Sequence, residues 1–370
     1  MSPTATGPVE LAAALAGVPA PATLAHSATP SCSPWMTASR AGYARRCPVA
    51  RTRIWSTGMR AVGVVEFGGP DALRIVDVPE RHAGPGEVRI RATAAAVNPT
   101  DTFTRSGARG KALAALPPPY VPGMDVAGVI DEIGAGVATD FAPGDHVMAI
   151  VLPTGAHGGY AEQVVVPVES VARVPAGVDD VAAATLPMNG LTARLTLDLL
   201  GLAPGQTLAV TGAAGTFGGY VVQLAKVDGL RVVADASAAD EQLVRELGAD
   251  VVVRRGDDVA ARIRAAVPGG VDGLADGSVQ DAALLAAVRD GGGFATVRGY
   301  RGESERGIVI HQVWVRDYLR EQAKLDRLGA LVEAGALTLR VARALPAAQA
   351  AEAHRLLERG GTRGRLVLTW

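Results

Sequence analysis

Hydrophobic and polar positions alternate in two different ways along the chain. Between residues 61 and 167 the apolar positions form short runs, at 61–67, 73–78, 87–97, 126–134, 144–150 and 161–167, rich in β-branched residues and parted by Gly and Pro. They predict an all-β unit with irregular closures. Beyond Pro175 the apolar runs at 207–211, 231–235, 250–253, 271–276, 293–299 and 308–313 alternate with helix-periodic stretches such as 240–247 and 280–289. That alternation predicts βαβ crossovers and a doubly wound parallel sheet, so the fold class is α/β. A helix near 347–358 and a strand over 365–370, patterned to return to the β unit, close the chain.

Residues 1–58 follow neither pattern. They are rich in Ala, Pro, Ser and Thr, carry Arg40, Arg45, Arg46, Arg51 and Arg53 against the single acid Glu10, and have no sustained period. A disordered leader or a mistakenly included extension is expected, with the functional start near Met59; an organelle transit peptide and a secretory signal are the alternatives.

Composition narrows the function classes. Among 370 residues, 36 Lys and Arg stand against 37 Asp and Glu, a net charge of -1 that gathers no nucleic acid. No run of about 18 uninterrupted apolar residues marks a membrane span. A soluble, cytoplasmic protein is expected. Cys32 and Cys47 are the only cysteines, so neither a disulfide scaffold nor a four-cysteine zinc lobe can form after residue 58.

The clearest motif follows the run 207–211. Gly212, Ala213, Ala214, Gly215, Thr216, Phe217 and Gly218 lead from a strand directly into a helix. Small residues at this junction let the backbone turn sharply and let a pyrophosphate approach the amides of a helix N-terminus. A tight turn without a ligand is the plainer reading, but strand and helix both stand where a dinucleotide loop needs them.

With this loop in place, the chain resembles a family. VNPTDTFTRSG (97–107), PPPYVPGMDVAGVI (117–130), GGYAE (158–162), GLTA (190–193), TGAAGTFG (211–218) and GRLVLTW (364–370), in this order, are similar to the zinc-independent medium-chain dehydrogenases/reductases of the quinone oxidoreductase, or zeta-crystallin-like, group. The resemblance spans residues 59–370. It implies a GroES-like β domain at 59–180 and 315–370, interrupted by a Rossmann domain at 181–314, with catalysis between them. It also implies a homodimer joined edge to edge through 308–313.

The points where zinc-dependent relatives carry catalytic ligands fall on Asn98, Met124 and Met188. An amide and two thioethers are poor zinc ligands, so no metal is expected. Without a Lewis acid, reduction of a conjugated acceptor, a quinone or an α,β-unsaturated carbonyl, is chemically easier than reduction of an isolated ketone. Asn98 is the candidate for orienting the acceptor carbonyl, against the plainer reading of a turn amide bonded to its own backbone. Thr100 stands where relatives use a hydroxyl in proton relay. Asp101 and Arg105 complete the family's loop pattern, either as a salt bridge fixing the loop or in contact with substrate. Thr192 matches a residue lining the nicotinamide site, and Asn189 reads as a helix cap.

The cofactor follows from the end of the second Rossmann strand. The acid of NAD-using relatives falls on Ala236 and a phosphate-contacting polar residue on Ser237, which favours NADPH, with Arg254 and Arg255 as cations for the 2′-phosphate. Asp235, one residue earlier, should face the opposite way; if it faces the cofactor, NADH becomes the choice. Enal or enoyl-thioester reduction, and a cofactor-binding redox sensor with little turnover, remain the alternatives.

Overall fold

The computed structural model describes residues 58–108 and 115–370. The expected leader lies outside the described residues except for Gly58, which already opens the first strand.

Strands β1 (Gly58–Gly63) and β2 (Arg74–Pro79) pair as an antiparallel ribbon. A seven-stranded, mainly antiparallel sheet contains β3 (Glu87–Ala96), β4 (Asp125–Ile133), β5 (His146–Ile150), β6 (Gln163–Pro167) and β7 (Val171–Arg173). Helix α1 (Pro99–Ser106) follows β3, with Pro99 at its first turn and Gly107 at φ +77° ending it.

The chain then leaves through α2 (Asp180–Ala183) and α3 (Pro187–Leu200). Six parallel strands follow: β8 (Thr207–Thr211), β9 (Arg231–Ala236), β10 (Val251–Arg254), β11 (Val271–Asp276), β12 (Val288–Thr296) and β13 (Val309–Gln312). Their order in the sheet is β10-β9-β8-β11-β12-β13, the doubly wound order that sequence alternation predicts. The crossovers include α4 (Thr216–Val227), α5 (Glu241–Glu246) and α6 (Val259–Ala266). Because the chain runs outward from β8 through β9 to β10 and then crosses to the other side of β8 at β11, a crevice opens at the carboxyl ends of β8 and β11. α7 (Gln322–Glu333), β14 (Val341–Pro346), α8 (Ala350–Arg359) and β15 (Arg365–Thr369) return the chain, and β15 pairs with β3. No described helix is long and apolar enough to cross a membrane.

The segment 280–289, expected to be helical by its period, differs. The buried Asp276 carboxylate accepts from the backbone N–H groups of Ser278, Val279 and Asp281, at 3.0, 2.8 and 2.8 Å. It curls the chain into a 3-10 helix over Asp281–Ala287, and β12 begins at Val288, earlier than the expected 293.

Candidate functional site

β8 is buried along its whole length and runs into Gly212, whose φ of +67° suits glycine. The Gly215 N–H donates to the Gly212 carbonyl at 2.9 Å, and α4 starts at Thr216. A Cβ on Gly218 would stand 2.4 Å from the Gly212 carbonyl oxygen, so only glycine lets the first helical turn pack under the loop. Arg340 grips the loop from behind, donating to the Ala214 carbonyl at 3.0 Å and the Gly215 carbonyl at 2.7 Å. Its local sequence gave no sign of this role. The cradle fits a dinucleotide pyrophosphate at a helix N-terminus.

Beside the loop lies a cavity of about 230 Å³. Of the expected cofactor residues, Gly212, Ala214, Gly215, Ser237 and Arg255 line it. Ala213 is fully buried behind it, while Thr216, Phe217 and Gly218 build the helix start. Arg254 is exposed at the end of β10 and is not part of this lining. Asp235 is a correction, because it lines the same cavity instead of facing away. One carboxylate oxygen accepts from the Ala213 N–H at 3.1 Å, which turns the side chain toward the loop, and the other is buried without a partner. Burial holds this carboxyl above its ordinary range, against the loop amides and the Arg255 charge.

Two residues missed by sequence reasoning complete the wall. Arg363 donates twice to Asp240, at 2.5 and 2.7 Å, and Ser237 Oγ donates to Asp240 at 2.5 Å. The Arg363 hydrogen bonds hold the Asp240 carboxyl down at about 2. Arg255 has no side-chain hydrogen bond or ion pair with any described residue, which leaves its guanidinium available to the cavity.

The second half of the site lies where the two large sheets meet. Asn98, at the start of α1, is completely buried. Its Nδ2 donates to Asp125 Oδ2 at 2.7 Å, and its Oδ1 accepts from Asn189 Nδ2 at 3.2 Å and from Arg365. Both ends of the amide are therefore occupied by protein. Asn189 bridges to Asn98 and is not a cap. Asp125 also accepts from the Met188 N–H at 2.6 Å, and burial pushes its carboxyl up to about 6 against the opposing Arg365 charge.

Asp101 and Arg105 also bond to protein, and they do not pair with each other. Asp101, buried, accepts from the Asn98 N–H (2.8 Å), the Gly123 N–H (3.1 Å) and the Tyr160 hydroxyl (2.9 Å). Arg105 donates to the Gly68 carbonyl at 3.1 Å and to Glu358 at 2.6 Å, and one of its nitrogens lies 3.3 Å from His354 Nδ1. These contacts tie α1 to β1's loop and to α8.

What faces the junction is a set of hydroxyls and thioethers. The Thr100 hydroxyl donates to Met124 Sδ at 3.3 Å, and Thr192 donates to the Met188 carbonyl at 2.5 Å with Met188 Sδ 3.5 Å away. Among the described residues no three His, Cys, Asp or Glu side chains come together as a metal site. A saturated amide and two thioethers do not fit zinc, and no step below passes through a metal.

Residues 84–176 match the alcohol dehydrogenase GroES-like domain and residues 247–368 the zinc-binding dehydrogenase domain. A 2-haloacrylate reductase from Burkholderia sp is 31% identical over 324 residues, 81% of this chain and 96% of that protein. A quinone oxidoreductase from Lama guanicoe is 33% identical over 208 residues, 54% of this chain and 60% of that protein. The chain belongs to the medium-chain dehydrogenase/reductase family, in its quinone oxidoreductase group. Two solved members of similar shape carry different cofactor descriptions. An NAD-dependent alcohol dehydrogenase is 32% identical with a TM-score of 0.75, covering 84% of this chain and 100% of its own. A mycobacterial protein solved with NADPH is 30% identical with a TM-score of 0.73, covering 84% and 100%. This medium-chain reductase thus has a nicotinamide-binding fold and an oxidoreductase's ancestry.

Proposed function

We propose that this oxidoreductase uses NADPH to reduce a quinone or an α,β-unsaturated carbonyl compound, without zinc. The observation that carries the reading is the combination of a glycine cradle with a junction of hydroxyls and thioethers where a metal would need thiolate and imidazole. When bound, the nicotinamide supplies a hydride. A conjugated acceptor spreads the developing negative charge, so the protein need only exclude water and donate a hydrogen bond to the acceptor oxygen. Thr100 takes the role expected of Asn98: its hydroxyl is held only by a thioether, a weak acceptor that it can exchange for a carbonyl or enolate oxygen. Thr192, tied to its own helix, shapes the floor. The names of the relatives, a haloacrylate reductase and a quinone oxidoreductase, support acceptors with an activated double bond.

The test is a panel of nicotinamide oxidation with a benzoquinone, an enal, an enoyl-thioester and an unconjugated ketone. Turnover of conjugated acceptors alone supports the reading. Enal or enoyl-thioester preference would shift the substrate class, and cofactor binding with no turnover at all would favour a sensor.

For the cofactor, Arg255 supports NADPH because its free guanidinium matches a phosphate. Arg255→Ala is expected to weaken NADPH about 10- to 100-fold, the worth of one charge-assisted hydrogen bond, and to spare NADH. Fluorescence titration with both nucleotides checks this, and equal loss would reject the role. The unpartnered Asp235 oxygen favours the second reading, NADH, since it can accept a ribose hydroxyl. A homodimer through the β13 edge, where Val309 is exposed, is also proposed; a single-chain mass in light scattering would contradict it.

A further inference from the structure

β12 ends at Thr296, and the chain turns through Val297, Arg298 and Gly299 before reaching β13. This turn is anchored. Gly299 sits at φ +76° with the Trp314 ring packed beside it, and Gln312 Nε2 donates to the Tyr300 carbonyl. It stands at the carboxyl edge of the parallel sheet, where doubly wound folds receive ligands.

From the turn, Arg298 reaches across to the other sheet's helix, and its guanidinium carbon lies 5.2 Å from the centre of the Phe103 ring. Phe103 follows Thr100 by three residues, so the two share one face of α1 with Cβ atoms about 5–6 Å apart. That is the face on which Thr100 meets Met124. Arg298 is exposed, and apart from the ring it makes no hydrogen bond or ion pair with any described residue. Arg105, Arg340, Arg363 and Arg365, by contrast, are all bound to protein oxygens. A guanidinium steadied on an aromatic ring keeps a fork of N–H donors whose geometry matches a carboxylate in two-point contact.

We propose that Arg298 selects an acceptor bearing a carboxylate on its conjugated system, with Phe103 steadying the cation and Thr100 meeting the reacting carbonyl. The proposal rests on the reductase reading above and adds the charge of the substrate to it. It places the anion and the reduced double bond within one short molecule, spanning the distance from Arg298 to Thr100.

Two enones that share the reacting group test it: trans-4-oxo-2-pentenoate and its methyl ester, assayed beside 1,4-benzoquinone with whichever nicotinamide the protein prefers. The readout is the acid-to-ester ratio of kcat/KM in the wild type, Arg298→Leu and Arg298→Lys, so that intrinsic reactivity cancels. The ratio is expected to fall about 10-fold or more in Arg298→Leu, chiefly through KM for the acid, and to recover in part in Arg298→Lys, which keeps the charge but not the fork. An unchanged ratio, or reduction of benzoquinone but of neither enone, would overturn the role of Arg298 alone. Turnover of none of the three by the wild type would instead overturn the reductase reading. Thermal unfolding of each variant separates loss of fold from loss of recognition.

Discussion

Arg365→Met is expected to lower the free energy of unfolding by about 3–5 kcal/mol, the usual cost of leaving a buried charge without its partner. Arg365 and Asp125 are both buried, with the guanidinium 3.9 Å from the carboxylate and bonded to the Asn98 amide that joins them. Removing the cation leaves Asp125 with only the Asn98 and Met188 N–H groups. The deficit should depend on pH in a definite sense. Burial raises the folded-state Asp125 carboxyl to about 6, above its unfolded value. Its stabilising share is therefore complete below the unfolded value and is lost as pH rises through the folded one. Without Arg365 that loss deepens, so the variant should suffer more near neutrality than in mild acid. Asp125→Asn in the Arg365→Met background should restore part of the stability by removing the orphaned charge. Urea unfolding of the four proteins of this cycle, at both pH values, checks it; a double variant no better than Arg365→Met would contradict the pairing.

Gly218→Ala is expected to weaken nicotinamide binding about 100-fold, roughly 3 kcal/mol. The added Cβ would meet the Gly212 carbonyl oxygen at 2.4 Å and Ala213 Cα at 2.8 Å, all of it backbone, so the cradle itself must move. Gly269→Ala is the matched control, since a Cβ there meets nothing within 4 Å. Cofactor titration of the two variants separates a shaped loop from a general effect of losing glycine, and equal affinity in both would contradict the role of the loop.

The sheet was readable where burial is two-sided. The apolar runs at 207–211 and 271–276 coincide with β8 and β11, because central strands covered on both faces read as continuous hydrophobic text ended by glycine. The phosphate loop was readable for a related reason: its requirement is steric and local. The roles of Asn98, Asp101 and Arg105 were not. Whether an amide beside a proline meets a ligand or a protein group depends on Arg365 and Asn189, which arrive from distant parts of the chain. Arg340 and Arg363 were hidden in the same way, because the returning C-terminal segment carries them to the cofactor crevice without a local pattern. Asp235 was misdirected by treating the end of β9 as a regular alternating strand, when its carboxylate is drawn to the Ala213 amide. The 280–289 segment has helical spacing, but spacing does not register that the Asp276 carboxylate gathers the Ser278 and Val279 amides just before the segment and the Asp281 amide at its start.

In the proposed reaction, hydroxyl and thioether groups at the sheet junction serve a conjugated acceptor where zinc-dependent relatives use a metal. Zinc content by mass spectrometry, measured on the same purified sample as its quinone and enone reductase activity before and after dialysis against a chelator, decides between the two arrangements. Far less than one zinc per chain is expected, with activity that survives chelation. Stoichiometric zinc whose removal abolishes turnover, and whose return restores it, would rule out a metal-free reaction at this junction.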